Sequence, residues 1–268
     1  MRILFLGDIV GPSGCNVIKK FLPSIIKQND LEFVVANGEN AADSGVGITK
    51  KISNELFQCG INVITTGNHV WDQKETVEYI EKEKKLLRPY NLISPAPGRG
   101  FEIYTTKNKF KIGVLNLMGN VFMKKCNDVF IETEKFLRDH NLKKDYDFLI
   151  VDFHGEITSE KMAISHLFDG KATLITGTHT HVPTNDARIL NKGSAYITDS
   201  GMCGDYDSVI GMNKDNSINK FFKKKSEKHF PSLGEGTLSG VLVDCCTETG
   251  LTKKIKSFLM GGVLQNTI

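Results

Sequence analysis

Hydrophobic positions along the chain fall into short continuous runs, each closed by a polar cluster and followed by a stretch of helical period. Residues 2–6 form the first run, apolar without alternation, which predicts a strand buried on both faces that ends on Gly7 and Asp8. Residues 15–26 place Val17, Ile18, Phe21, Leu22 and Ile25 on one side of a helix, with Pro23 expected to kink or shorten it. A second run at 33–36 ends on Asn37-Gly38-Glu39-Asn40, after which Thr49 can cap a helix reaching Cys59, with Gly60 as its stop. The third run, 62–66, ends on Gly67-Asn68-His69 and precedes a charged amphipathic helix expected over 71–85, opened by Asp72. This recurring order of strand, polar cluster and helix is that of an open α/β sheet, whose functional residues gather at the carboxyl ends of strands.

The pattern changes after the rigid segment 89–100, which holds Pro89, Pro95 and Pro97. Residues 101–106 and 109–117 flank Lys107-Asn108 as a hairpin, and 129–140 reads as a helix. The run 148–153 ends on His154-Gly155-Glu156, with Thr158 or Ser159 opening a helix to Asp169. The run 172–176 ends on Gly177-Thr178-His179-Thr180-His181. Further strands at 193–198, 240–244 and 252–258 have glycine-rich or polar connections and little room for helices, so the second half is expected to be more antiparallel. The charge run from Lys220 to Lys228 reads as a solvated loop.

Composition narrows the class. A chain of 268 residues with 40% hydrophobic and 24% charged residues is ordinary for a soluble protein, and one domain over 1–268 is expected. The net charge of +3 is too small to argue for a nucleic-acid or membrane partner. The apolar start is too short for a secretory signal, and no run approaches the length of a membrane span. The 6 cysteines lack a CxxC spacing and read as reduced packing residues, which points to the cytoplasm.

The chemistry sits at the strand ends. Asp8, Glu39 with Asn40, Asn68 with His69, His154, and His179 with His181 are all metal-ligand or proton-transfer groups. Any one of them alone is explained by a cap or a turn, but in an open α/β sheet these ends converge on one crevice. Asp8, Glu39, Asn68, His154, His179 and His181 are too many for one tetrahedral site and suit two ions sharing a bridging carboxylate. A mixed oxygen and imidazole set without thiolate fits iron, manganese, zinc or cobalt. Two such ions polarise a phosphoryl oxygen and lower the pKa of a shared water toward neutrality, which is the chemistry of phosphate-ester hydrolysis.

The blocks Gly7-Asp8, Gly38-Glu39-Asn40, Gly67-Asn68-His69, His154 and Gly177-Thr178-His179-Thr180-His181 resemble, in order, those of the calcineurin-like metallophosphoesterase superfamily. Their extended forms, Gly67-Asn68-His69-Val70-Trp71-Asp72 and Asp152-Phe153-His154-Gly155-Glu156 among them, resemble more narrowly the bacterial YmdB-like branch. The resemblance continues through residues 195–199 and 236–240, so it spans nearly the whole length. It implies a four-layer α-β-β-α sandwich, two divalent or mixed-valence ions usually described as iron or manganese, and phosphodiesterase activity on cyclic nucleotides. Val10 and Glu39 depart from the wider superfamily, which usually has histidine and aspartate there, and agree with the narrower branch. By that resemblance Asp8, Glu39 and His181 hold the first ion, while Glu39, Asn68, His154 and His179 hold the second. Asn40 stays open between ligand, orienter of Glu39 and turn former. His69 carries over as the residue that protonates the leaving oxygen, a role apt for a histidine beside two cations.

Two rivals remain: a phosphomonoesterase or nuclease on the same centre, and a metal-loaded regulatory or RNA-associated protein with incidental turnover. The expected partner is a small phosphodiester, RNA is not indicated beyond the short lysine run, and an even-numbered homo-oligomer is the default. Trp71 reads either as a stacking platform for a base or as packing. His140, His166 and His229 read as structural or surface residues.

Overall fold

The computed structural model describes residues 1–267. In chain order, β1 (Arg2–Leu6), the short β2 (Asp8–Ile9) and α1 (Gly11–Gln28) lead into β3 (Phe33–Asn37), α2 (Lys50–Gln58), β4 (Val63–Thr65) and α3 (Thr76–Lys82). Next come β5 (Phe101–Thr105), β6 (Lys111–Met118), α4 (Val129–Asp139), β7 (Phe148–His154), α5 (Thr158–Phe168) and β8 (Leu174–Thr178). The chain closes through β9 (Arg188–Ile189), β10 (Ala195–Ile197), β11 (Met202–Cys203), α6 (Lys214–Phe221), β12 (Leu238–Cys245) and β13 (Thr252–Met260). One sheet has the order β13-β12-β1-β3-β4 and the other β5-β6-β7-β8-β10-β9, while β2 and β11 form a small parallel pair.

The period of two in the strands builds the layers. In β1, Ile3 and Phe5 face the second sheet, where they meet Val114, Ile150 and Leu174, while Leu4 and Leu6 face Ile18 and Leu22 of α1. In β7, Phe148 and Ile150 point inward between the sheets, whereas Leu149, Val151 and Phe153 pack on Phe136 of α4 and on Ile164 and Phe168 of α5. Apolar cores therefore lie between helix and sheet, sheet and sheet, and sheet and helix, which is the four-layer arrangement expected. Each fully buried Ile, Leu or Phe contributes about 1.5–3 kcal/mol to it.

Local signals mark several boundaries. Thr49 Oγ1 accepts from the Ile52 amide at 3.2 Å to start α2, and Gly60, at φ +108°, ends that turn. Asp128 caps α4 by accepting from the amides of Phe130 and Ile131. Two expectations need correction. The helix expected over 71–85 shrinks to α3, because Asp72 turns back to the His69 ring and Thr76 Oγ1 donates to the Ile48 carbonyl, tying residues 66–75 into turns. Pro23 lies inside α1, which runs on to Gln28, so it does not shorten the helix. The second half is largely antiparallel as expected, with β12 pairing antiparallel with β1 and β13 and β10 with β9, although β10 also runs parallel to β8; α6 occupies part of what reads as loop.

The parallel set β1, β3 and β4 and the parallel set β6, β7, β8 and β10 bring their carboxyl ends to one edge of the molecule. No helix among the described residues is long and apolar enough to cross a membrane.

Candidate metal centre

Asp8 follows β1, Glu39 and Asn40 follow β3, and Asn68 and His69 follow β4. His154 is the last residue of β7, and His179 and His181 leave β8. The side chains of Glu39, Asn68, His154 and His179 meet at one point. Around His154 Nε2 lie Glu39 Oε1 at 3.0 Å, Asn68 Oδ1 at 3.0 Å and His179 Nδ1 at 3.1 Å. Beside them, Asp8 Oδ1 is 3.8 Å from His154 Nδ1 and 3.9 Å from His181 Nε2. Asn40 is buried on the same side of the fold, its Nδ2 donating to the Gly45 carbonyl at 2.9 Å.

Two observations test whether this donor set fits a metal. His154 Nε2 carries at most one proton yet faces three electron-rich atoms, and His179 Nε2, 3.0 Å from Glu156 Oε2, is placed to donate its own hydrogen there. Such crowding is that of ligand atoms about 2.1 Å from one shared ion, which at right angles stand roughly 3 Å apart. Asp8 Oδ1 and Asn40 Oδ1 are buried and find no hydrogen-bond partner among the described residues, although such atoms are almost always satisfied. The residues fit a cation. Among the described histidines, cysteines and carboxylates, Glu39, His154 and His179 offer three ligand atoms all within 4.8 Å of one another.

The electrostatics agree. Burial raises the Glu39 carboxyl, but the charge and hydrogen bond of His154 and the His69 amide overcome this and bring it down to about 2. His154 is lowered by burial and carried the other way by Glu39, Asp8 and Asp152, to about 9. Burial and the neighbouring His154 charge push His179 down to about 3. Burial also raises Asp8 well above the usual carboxylate range. The cluster thus demands positive charge among its carboxylates, which a cation between them would supply.

The backbone is shaped around these groups. His179 and His181 both take positive φ, +98° and +64°, a conformation costing roughly 1–3 kcal/mol each and typical of functional loops. A Cβ on Gly67 would overlap the His154 ring and the Glu39 carboxylate, so only glycine lets this loop approach. His69 stands apart from the converging ligand atoms. Its amide donates to Glu39 Oε2 at 3.0 Å, while its ring, 31% exposed, has Nδ1 2.6 Å from Asp72 Oδ2. That contact fixes the ring through Nδ1.

Sequence reasoning missed the support beneath. His154 Nδ1 lies 2.9 Å from Thr178 Oγ1, which donates to Asp152 Oδ1 at 2.7 Å, and Asp152 Oδ2 accepts from Asn37 Nδ2 at 2.9 Å and from Thr65 Oγ1. A charged residue inside the otherwise apolar run of β7 was the available signal. The histidine loop is held by a second buried element: Lys161 Nζ reaches Asp199 Oδ2 at 2.7 Å, and Asp199 accepts from Thr180 Oγ1 at 2.7 Å. Nothing in the pattern of α5 marked Lys161 as buried. His140 packs on Phe101 and Phe136, and His166 and His229 are exposed, so none of these three joins the cluster.

Residues 4–258 match the pattern of the YmdB-like protein family. The chain belongs to that family. This YmdB-like chain is 40% identical over 260 residues to a Bacillus subtilis (strain 168) protein named 2′,3′-cyclic-nucleotide 2′-phosphodiesterase, covering 97% of each. A solved Mycoplasma pneumoniae structure described as a novel phosphatase is 38% identical, with TM-score 0.89 over 97% of this chain and 93% of that one. A hypothetical protein from Thermus thermophilus superimposes with TM-score 0.89 at 32% identity, covering 98% of this chain and 100% of that one. The fold of this YmdB-like chain is the metallophosphoesterase sandwich, and the chain is a phosphoric ester hydrolase of that class.

Proposed function

We propose that the chain is a binuclear metal phosphodiesterase acting on cyclic nucleotides. The observation that carries this reading is the convergence of Glu39 Oε1, Asn68 Oδ1 and His179 Nδ1 on His154 Nε2 at 3.0–3.1 Å, beside a buried Asp8 oxygen without a partner among the described residues. The name of the Bacillus subtilis relative supports a 2′,3′-cyclic nucleotide as substrate.

In this reading Glu39, Asn68, His154 and His179 would hold one ion, and Asp8, His181 and Glu39 the other, with Asn40, whose Oδ1 is buried without a partner among the described residues, as a further candidate. Iron or manganese is expected, with zinc also compatible with the donors. When bound, the ions supply Lewis acidity to the phosphoryl oxygens and a water acidic enough to attack phosphorus at neutral pH. The protein's own part is positional. Glu39, buried and ionised, has Oε1 on the His154 side and Oε2 accepting the His69 amide, and would be the carboxylate shared by the two ions. His69, with its amide on Glu39 Oε2 and its Nδ1 fixed by Asp72, would protonate the departing ribose oxygen from Nε2.

A substrate panel tests this: adenosine 2′,3′-cyclic phosphate, adenosine 3′,5′-cyclic phosphate, p-nitrophenyl phosphate and a single-stranded RNA, each with manganese or ferrous iron. Preference for a cyclic diester supports the proposal. Faster turnover of the monoester or of RNA would replace it with a phosphomonoesterase or nuclease on the same residues.

A further inference from the structure

A groove of about 240 Å³ opens next to the cluster and shares Gly67 and Asn68 with it. Asn68 therefore serves both: its Oδ1 points at His154, and its residue lines the groove. Trp71, the only tryptophan of the chain, lines the groove while packing partly against the apolar core. Ile93, 48% exposed, Pro95 and Met118 supply further apolar lining. Two exposed lysines complete it, Lys124 and Lys125, and Lys124 Nζ stands 3.5 Å from the Asp72 carboxylate that holds His69.

An indole, proline and aliphatic lining with cations at its margin, continuous with a phosphoester centre, suits a flat aromatic group joined to an anion. We propose that this groove binds the nucleoside portion of the substrate, its base stacked on Trp71, while Lys124 and Lys125 draw the anionic ester toward Asn68 and His69. The inference rests on the phosphodiesterase reading and sharpens it. A volume of about 240 Å³ lies below the 300–1,000 Å³ typical of sites for drug-sized ligands, so the occupant is one nucleoside and not an oligonucleotide. The base end of a mononucleotide accordingly sits over residues 71 and 93–97, and its phosphate at the strand ends.

The lone tryptophan makes binding visible without turnover. Titration of the purified full chain with adenosine 3′-monophosphate should change Trp71 fluorescence saturably, and inorganic phosphate should not. No change with the nucleotide, or an equal change with phosphate, would overturn the proposal. The kinetic arm compares kcat/KM for adenosine 2′,3′-cyclic phosphate with that for ribose 2′,3′-cyclic phosphate, which lacks the base. Trp71→Ala should lower that ratio about ten-fold, the size of one base-aromatic stack, and Trp71→Phe should retain most of it. An unchanged ratio in Trp71→Ala would refute the stacking role. Should Trp71→Ala fail to fold, the wild-type fluorescence titration decides. If the wild type hydrolyses neither ester, the phosphodiesterase reading fails, and the titration still judges the groove on its own.

Discussion

Replacing Asp152 by asparagine removes a charge without removing bulk, and the contacts of that buried carboxylate dictate the outcome. Asp152 accepts from Asn37 Nδ2 and Thr65 Oγ1 on one oxygen and from Thr178 Oγ1 on the other. Burial pushes its pKa up, while the His154 charge and these three donors act the other way. Because Thr178 gives its proton to Asp152, its oxygen is left to accept from His154 Nδ1, and Nε2 is then free to ligate. In Asp152→Asn the amide NH2 cannot face Asn37, which is itself fixed by accepting the Glu39 amide at 3.1 Å. It must face Thr178. The Thr178 hydroxyl then accepts from the new amide and donates to His154 Nδ1, which moves the imidazole proton to Nε2, where Glu39, Asn68 and His179 converge. Outer partners of this kind are worth 10–100-fold in metal affinity, or about 1.4–2.7 kcal/mol. Competition between the protein and a chelator for manganese measures it. Affinity should fall by that factor, with phosphodiesterase activity recovered at high manganese and the far-ultraviolet spectrum unchanged. Thr178→Val, which cuts the same relay, should fall in the same range. Wild-type affinity in a folded Asp152→Asn protein would refute the relay.

Other consequences are read separately. His69→Ala should lose about 100-fold or more in kcat while keeping its metal content, as removal of a general acid does, and unchanged turnover would exclude that role. Lys161→Met strands the buried Asp199 carboxylate, both partners being 1% exposed, and should cost about 3–5 kcal/mol, seen as a melting temperature lower by roughly 10 °C. A melt within a degree or two of wild type would contradict this account of the histidine loop. Burial pushes the thiols of Cys15, Cys203 and Cys245 up to about 12, so at pH 8 almost none of each is thiolate. Ellman's reagent on the native protein should therefore spare these three and label the partly exposed Cys59, Cys126 and Cys246, with site-by-site mass spectrometry as the check. Labelling of any of the three before unfolding would show the core to be more open than described.

The strand-end residues were legible because each follows a continuous apolar run. Gly7-Asp8, Gly38-Glu39 and Gly67-Asn68 are visible as polar interruptions at a regular place in the pattern, and the fold brings those ends together. The helix at 71–85 was misread because Asp72 looks like an N-cap in one dimension, whereas in three it serves His69. The antiparallel expectation for the second half holds for β12 and β13 and misses only the β8 side of β10, whose parallel pairing needs no long crossover helix since the chain returns through β9. The supporting network was hidden for a physical reason: Asp152, Thr178 and Lys161 act through partners far away in sequence, and no periodicity records such pairings. The groove likewise draws on residues 67–71, 92–97, 118 and 124–125, which no single stretch announces.

If Glu39 is shared by two ions on which hydrolysis depends, its loss should remove metal and activity together. Wild type and Glu39→Gln should be purified in parallel, assayed for bound metal, and tested for hydrolysis of adenosine 2′,3′-cyclic phosphate with manganese and with chelator. About two ions per chain are expected in the wild type, with activity abolished by chelator and restored by manganese, and loss of both metal and activity in Glu39→Gln. Wild-type turnover that persists in chelator with no metal bound, or no turnover from protein holding two ions, would contradict metal-dependent hydrolysis at this centre.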